Sequence, residues 1–178
     1  MASPMPRLTD EIRNYIGMET ELQLACDPVE RGAVRRYAQA IMDNDPIYMD
    51  EAVLAGTRYR KPVAPPLFPN AMWRLPFGER DLVQERAEDP DFDGAVGSST
   101  LGLPPLPLPN SALLNGGSEV ELFRFAEHGE PIWLKSRYLD IYEKETSKGV
   151  MLFVVIETDF LDGERKPVMR FRKTQIRR

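Results

Sequence analysis

The sequence predicts an α+β domain in which a curved antiparallel β-sheet wraps around one central helix. Three observations predict it. The last third carries four runs rich in Val, Ile, Tyr and Phe, parted by short Gly-containing turns. One apolar run at helical spacing, Pro66 to Leu75, sits between prolines in mid-chain. A first strand precedes that run, and this element order suits a sheet closed over a buried helix. With 178 residues the chain is long enough to bury its own core, and one domain over residues 1–178 is expected.

Leu8 to Ile16 reads as a short helix capped by Thr9 or Asp10, with Ile12 and Ile16 on one face, and Met18 to Cys26 alternates as a strand. Asp27-Pro28-Val29-Glu30 starts the next helix. Asp27 can accept from first-turn amides, Pro28 sits where a missing N–H costs nothing, and Glu30 suits the positive end. That helix runs to about Met42, with Val34, Tyr37, Ala38 and Ile41 as an apolar stripe opposite Arg35, Arg36 and Gln39. Asp43-Asn44-Asp45-Pro46 stops it, because Pro46 drives its predecessor out of the helical region. Leu67, Phe68, Ala71, Met72 and Leu75 then predict the buried central helix.

From Pro76 to Asn110 no periodicity survives. Glu79, Asp81, Glu85, Glu88, Asp89, Asp91 and Asp93 stand against Arg80 and Arg86, followed by Pro104, Pro105, Pro107 and Pro109. The stretch reads as a long irregular loop, a solvated acidic half followed by a polyproline-like segment on the surface. The strands are expected at Ser118 to Phe125, Ile132 to Tyr142, Val150 to Phe160 and Val168 to Ile176, as an antiparallel meander. Val150 to Ile156 is apolar on both pleat faces, so it is covered on both sides or lies where a second subunit continues the layer. Ile132 and Leu134 share one face while Leu139 and Ile141 take the other, which predicts a bulge or a strong bend.

Composition excludes several functions. Lys plus Arg is 23 against 28 for Asp plus Glu, and a net charge of -5 argues against a nucleic-acid binder that neutralises phosphates. Cys26 and His128 are each the single residue of their type, so neither an intrachain disulfide nor a His- or Cys-rich metal site can form, and a reducing cytoplasm fits. Met1 to Leu22 has no apolar signal-like core, and the longest apolar run, Val150 to Ile156, falls far short of the ~20 residues of a membrane helix. His128, in a Gly-containing turn, reads as an exposed surface histidine.

Three stretches carry a recognisable pattern: Val34 to Asp50 (VRRYAQAIMDNDPIYMD), Ala64-Pro65-Pro66-Leu67-Phe68, and Asn115-Gly116-Gly117-Ser118-Glu119. Together they resemble the N-terminal-type dehydratase domains of the MaoC-like, R-specific enoyl-CoA hydratase superfamily, from about Leu8 to Arg178, with Pro76 to Asn110 the least typical part. The resemblance implies a hotdog fold. It also implies a chemistry, since competent members carry an Asp and, five residues later, a His that together position water and move its proton during syn addition to an enoyl thioester.

Matched residue by residue, the Asp is Asp43, the His position holds Tyr48, and Asp45 stands where the family usually has Asn. A phenol with an ordinary pKa of about 10 is a poor base at pH 7. Active relatives also begin the central helix with a Gly whose N–H donates to the thioester carbonyl. Here the matching stretch is Ala64-Pro65-Pro66, and proline has no N–H. Losing such a donor costs on the order of a hundredfold in rate.

The resemblance therefore implies a division of labour. This chain would be a non-catalytic or weakly catalytic subunit of a heteromeric 2-enoyl-CoA hydratase, equally a 3-hydroxyacyl-CoA dehydratase. It would shape the tunnel for an acyl-CoA thioester while a second hotdog subunit supplies the Asp and His. No cofactor is expected beyond the coenzyme A that the substrate carries. Pro65, Pro66, Asn115, Gly116 and Gly117 are expected along the substrate path, although Asn115-Gly116-Gly117 also reads as a strand entry needing positive φ. The last strand holds seven basic residues against Glu164, and Arg170 and Arg172 are candidates for the CoA phosphates or part of a solvated strand. Two other functions fit: an autonomous hydratase using Asp43 with Tyr48, and an acyl-thioester-binding module without turnover.

Overall fold

The computed structural model describes residues 8–74, 76–79, 82–90, 101–108, 112–147 and 149–178. Among them, β1 (Gln23–Leu24), β2 (Leu113–Leu122), β3 (Trp133–Thr146), β4 (Gly149–Leu161) and β5 (Pro167–Arg177) form one antiparallel sheet in the order β1-β3-β4-β5-β2. The strands β3, β4 and β5 fall where the apolar runs predict them and form a meander, whereas β2 starts at Leu113, five residues before the expected Ser118, and ends at Leu122, short of Phe125. The strand β2 departs from the meander: it pairs with β5, from Leu113 against Arg177 to Leu122 against Met169, and not with its sequence neighbour β3. The connection after β2 is held elsewhere. The Ala64 N–H donates to the Ala126 carbonyl at 2.8 Å and the His128 N–H to the Pro62 carbonyl at 2.9 Å, so this turn packs against residues 62–64 instead of closing a hairpin. The first strand is also shorter than its pattern, two residues opposite Trp133 and Leu134, because among residues 18–24 only Thr20 is buried.

The predicted bulge is present in β3, where the register against β4 shifts between Tyr138 and Asp140. Its effect corrects the reading of two faces. Ile132, Leu134, Ser136 and Tyr138 point inward, and the extra residue returns Ile141 to that same inner face instead of sending it out. The inner row of β4, Leu152, Val154, Ile156, Thr158 and Phe160, is buried throughout. On its outer face Phe153 and Val155 are half-buried, and Phe153 stacks on Tyr142 with ring centroids 5.2 Å apart.

Two clusters fill the inner face. At one end, Val34 and Ala38 of α2 (Arg31–Ala40) and Phe68 of α3 (Phe68–Ala71) pack on Ile132, Leu134, Phe160, Val168, Met169 and Phe171. Tyr37 meets Phe68 edge-on at 5.5 Å. At the other end Ile12, from α1 (Asp10–Arg13), and Leu103 cover Tyr138, Ile141, Leu152, Val154 and Ile156. Thr9 caps α1 as predicted, its hydroxyl accepting from the Ile12 N–H at 3.3 Å.

The cap of α2 is Glu30 and not Asp27, and its side chain makes no capping bond. This helix stops at Ala40, which leaves Ile41 exposed outside the apolar stripe. The central helix is one turn instead of the predicted ten residues, since Pro65, Pro66 and Pro69 remove amides that a longer helix would need. Within Pro76 to Asn110 a further turn of helix, α4 (Leu82–Glu85), forms where none was predicted. Residues 101–108 are irregular as expected but do not simply lie on the surface: Leu103 is 3% exposed, and the Tyr138 hydroxyl donates to the Pro104 carbonyl at 2.7 Å. The remaining parts of that loop, 80–81, 91–100 and 109–110, lie outside the described residues.

Candidate functional site

Three features of the chain deliver Asp43 and Tyr48 to one place. Met42, two residues beyond α2, lies in the left-handed region at φ 57°, a conformation that carries strain for a non-glycine residue, and it turns the chain so that the Asp43 N–H still reaches the Ala38 carbonyl at 3.0 Å. Asp45 caps a single 3₁₀ turn, Pro46–Tyr48, with its carboxylate accepting from the Ile47 N–H at 3.0 Å. Tyr48 then points back, and its hydroxyl donates to Asp43 Oδ2 at 2.7 Å, while Oδ1 accepts from the Asp45 N–H at 3.2 Å. Tyr48 is 5% exposed and packs in the cluster around Phe68. Burial, and then the adjacent Asp43 carboxylate, hold the phenol protonated well above its usual range. At neutral pH it keeps its proton, donates a hydrogen bond to Asp43 and cannot act as a base toward water.

The turn that precedes α3 is poor in donors. Pro65 and Pro66 have no N–H, the Ala64 amide is bonded to Ala126, and the Phe68 N–H closes back on the Pro65 carbonyl at 2.9 Å. Leu67 is the one residue of this turn whose amide has no backbone acceptor among the described residues. Sequence reasoning missed it, although the count of prolines around it was available.

Asn115, Gly116 and Gly117 form an irregularity at the start of β2, where the pairing with β5 skips Gly116. Gly117 has φ 123°, and a Cβ on Gly116 would come within 2.9 Å of the Thr174 side chain, so both glycines are required by backbone shape and packing. Asn115 reaches further. Together with Asn70 of α3, Leu101, Ser118, Ile156, Thr158, Phe171 and Lys173 it lines a cavity of about 370 Å³ between the central turn and the sheet.

Arg170 and Arg172 lie on the outer face, opposite in pleat to the buried Met169 and Phe171. Both are engaged there. The Arg170 Nε donates to Asp159 at 2.7 Å and the Arg172 Nε to Glu157 at 2.5 Å, while Arg137 holds the other Glu157 oxygen. The structure thus does not bring these arginines to Asp43 and Tyr48. His128 is half-buried and not exposed, beside Pro62 and Arg31 in a second cavity, and its Nε2 has no hydrogen-bond partner among the described residues. Burial and the Arg31 charge lower its pKa. Among the described residues no group of three His, Cys, Asp or Glu side chains converges as a metal site, and no helix is long and apolar enough to cross a membrane.

Comparison with known proteins places this geometry. Residues 14–171 match the family model described as the FAS1-like dehydratase domain region. No curated protein matches the chain. Solved structures do: a chain of the ChsH1–ChsH2 complex from Mycobacterium tuberculosis superposes with a TM-score of 0.68 at 17% identity, covering 94% of this chain and 88% of that one. The HadBC (3R-hydroxyacyl-ACP dehydratase) complex of the same organism gives 0.59 at 16% identity, over 91% of this chain and 96% of that one. A MaoC-like dehydratase from Rhodospirillum rubrum gives 0.56 at 17% identity, over 92% and 93%. With a family model spanning most of its length, the chain belongs to the FAS1-like dehydratase-region family, and its sheet wrapped over a central turn is the fold shared with the MaoC-like dehydratase structures.

Proposed function

We propose that this chain is the substrate-shaping subunit of a heteromeric 2-enoyl-CoA hydratase, or 3-hydroxyacyl-CoA dehydratase in the reverse direction, and that a second hotdog subunit supplies the reacting Asp and His. The observation that carries the reading is the 2.7 Å contact from the Tyr48 hydroxyl to Asp43. Syn hydration needs a carboxylate to orient water and a group near neutrality to exchange the proton at the α carbon. A buried phenol fixed as a donor supplies the second function to neither reactant. The proline-blocked turn removes an oxyanion donor as well. Two of the similar structures are complexes by name, which supports a paired assembly. The free edge of β2, whose far side has no strand among the described residues, offers a place for it.

The Leu67 amide favours a second reading, an autonomous hydratase in which Asp43 orients water, Tyr48 assists, and Leu67 replaces the missing donor. Hydration of a trans-2-enoyl-CoA, followed by loss of the enoyl absorbance, separates the two. The expected result is no turnover by the purified chain and turnover on adding a co-encoded hotdog subunit that has both Asp and His. Turnover by the chain alone, abolished by Asp43→Asn, would establish the second reading instead. Binding of the thioester without turnover under either condition would make the chain a binding module.

A further inference from the structure

We propose that Lys173 selects the distal end of the acyl group, and that the cavity beside the central turn takes a thioester whose acyl tail ends in a carboxylate. The proposal rests on the acyl-thioester reading and names the substrate class within it. Its basis is a lane of polar residues where an acyl channel would be apolar. The inward positions of β5 run Met169, Phe171, Lys173, Gln175 and Arg177, so the strand turns from hydrocarbon to cation halfway along the buried face. Lys173 stands between Ile156 of β4 and Ser118 of β2 in the register, and it lines the 370 Å³ cavity with Asn70, Asn115 and Thr158.

Lys173 is half-buried, and its ammonium has neither hydrogen bond nor ion pair among the described residues, unlike Arg170 and Arg172 on the opposite face. Burial, reinforced by the charge of Arg177, lowers its pKa, and among the described residues no carboxylate offsets either effect. The nearest acids of β2 do not help, since Glu119 and Glu121 approach Arg172 and Arg170, both at 3.7 Å. The surrounding groups complete a donor set. The Asn115 side-chain Oδ1 accepts from the Gly117 N–H at 3.1 Å, which leaves its NH₂ as a donor, and the Thr158 hydroxyl is bonded to Ser136 at 2.9 Å. A methyl-ended tail entering here would leave the partly buried Lys173 ammonium without a partner. A carboxylate would pair with it and with the Asn115 NH₂, and the cavity has room for a chain of several carbons.

Calorimetric titration of the full chain with trans-2-octenoyl-CoA, and with its ω-carboxylate counterpart trans-2-octenedioyl-CoA, tests this. The expected result is at least about tenfold tighter binding of the carboxylate-ended thioester, with that preference lost in both Lys173→Met and Lys173→Gln. The melting temperature of Lys173→Met is expected at or above that of the parent, because a half-buried charge without a partner is removed. Equal affinity for the two thioesters, or a preference that survives both substitutions, would overturn the role of Lys173 and leave the thioester reading standing. Failure of both thioesters to bind would overturn both.

Discussion

The phenol of Tyr48 contributes one part-buried hydrogen bond and is held protonated, which sets what its removal does under the proposed function. Tyr48→Phe is expected to lower stability by about 1 kcal/mol in urea unfolding, and to leave hydration by the two-subunit assembly within about twofold. A loss of a hundredfold would place the hydroxyl in the chemistry. Glu157 is the residue where pH acts. Burial opposes its charge, but the guanidinium groups of Arg172 and Arg137 more than compensate and hold its pKa below the ordinary 4.5. A carboxylate with a lowered folded pKa stabilises the fold above its unfolded value, and that stability is lost as pH falls through the folded one. Urea midpoints measured downward from pH 5 are therefore expected to fall more steeply for the parent than for Glu157→Gln. At pH 7 the substitution costs about 2 kcal/mol.

The Pro-rich segment 101–108 acts as a cover for one half of the sheet, with Leu103 seated over Tyr138, Ile141 and Leu152. Leu103→Ala is expected to cost about 3 kcal/mol, read from urea unfolding, which a mere surface strap would not. Prolines advertise irregularity but not burial, so this role was invisible in composition, whereas the leucines interleaved with them, Leu103, Leu106 and Leu108, held the signal. The long strands were legible because β-branched and aromatic runs between Gly turns have few other readings. The bulge was legible for a similar reason: the phase of Ile132 and Leu134 conflicts with that of Ile141, and one extra residue resolves it. Helix length was not legible at α3, because apolar spacing is the same whether or not prolines let the turn propagate. At the candidate site, Asp43 and Tyr48 could be paired from their spacing in the motif. Lys173 could have been found only by following the two-residue period of the last strand inward, since in the sequence it is one of seven cations.

At the scale of the molecule, β2 is the strand left facing outward. Its residues are almost all exposed, including Val120 and Leu122, and its one hydrogen-bonded neighbour among the described residues is β5. The double substitution Val120→Asp with Leu122→Asp is expected to abolish association with a hotdog partner in size-exclusion chromatography. It should shift the melting temperature of the isolated chain by no more than a few degrees, because neither side chain is buried there. The same arrangement has a consequence in time. Leu122 is paired with Met169 and Leu113 with Arg177, so β2 leaves the ribosome between 47 and 64 residues ahead of its partners, and it stays without its ladder until β5 has followed it out. In refolding from urea, pulse-labelled amides of β2 are expected to gain protection together with those of β5 and after those shared by β3 and β4. Until then β2 is an unsatisfied strand, open to pairing with the wrong one.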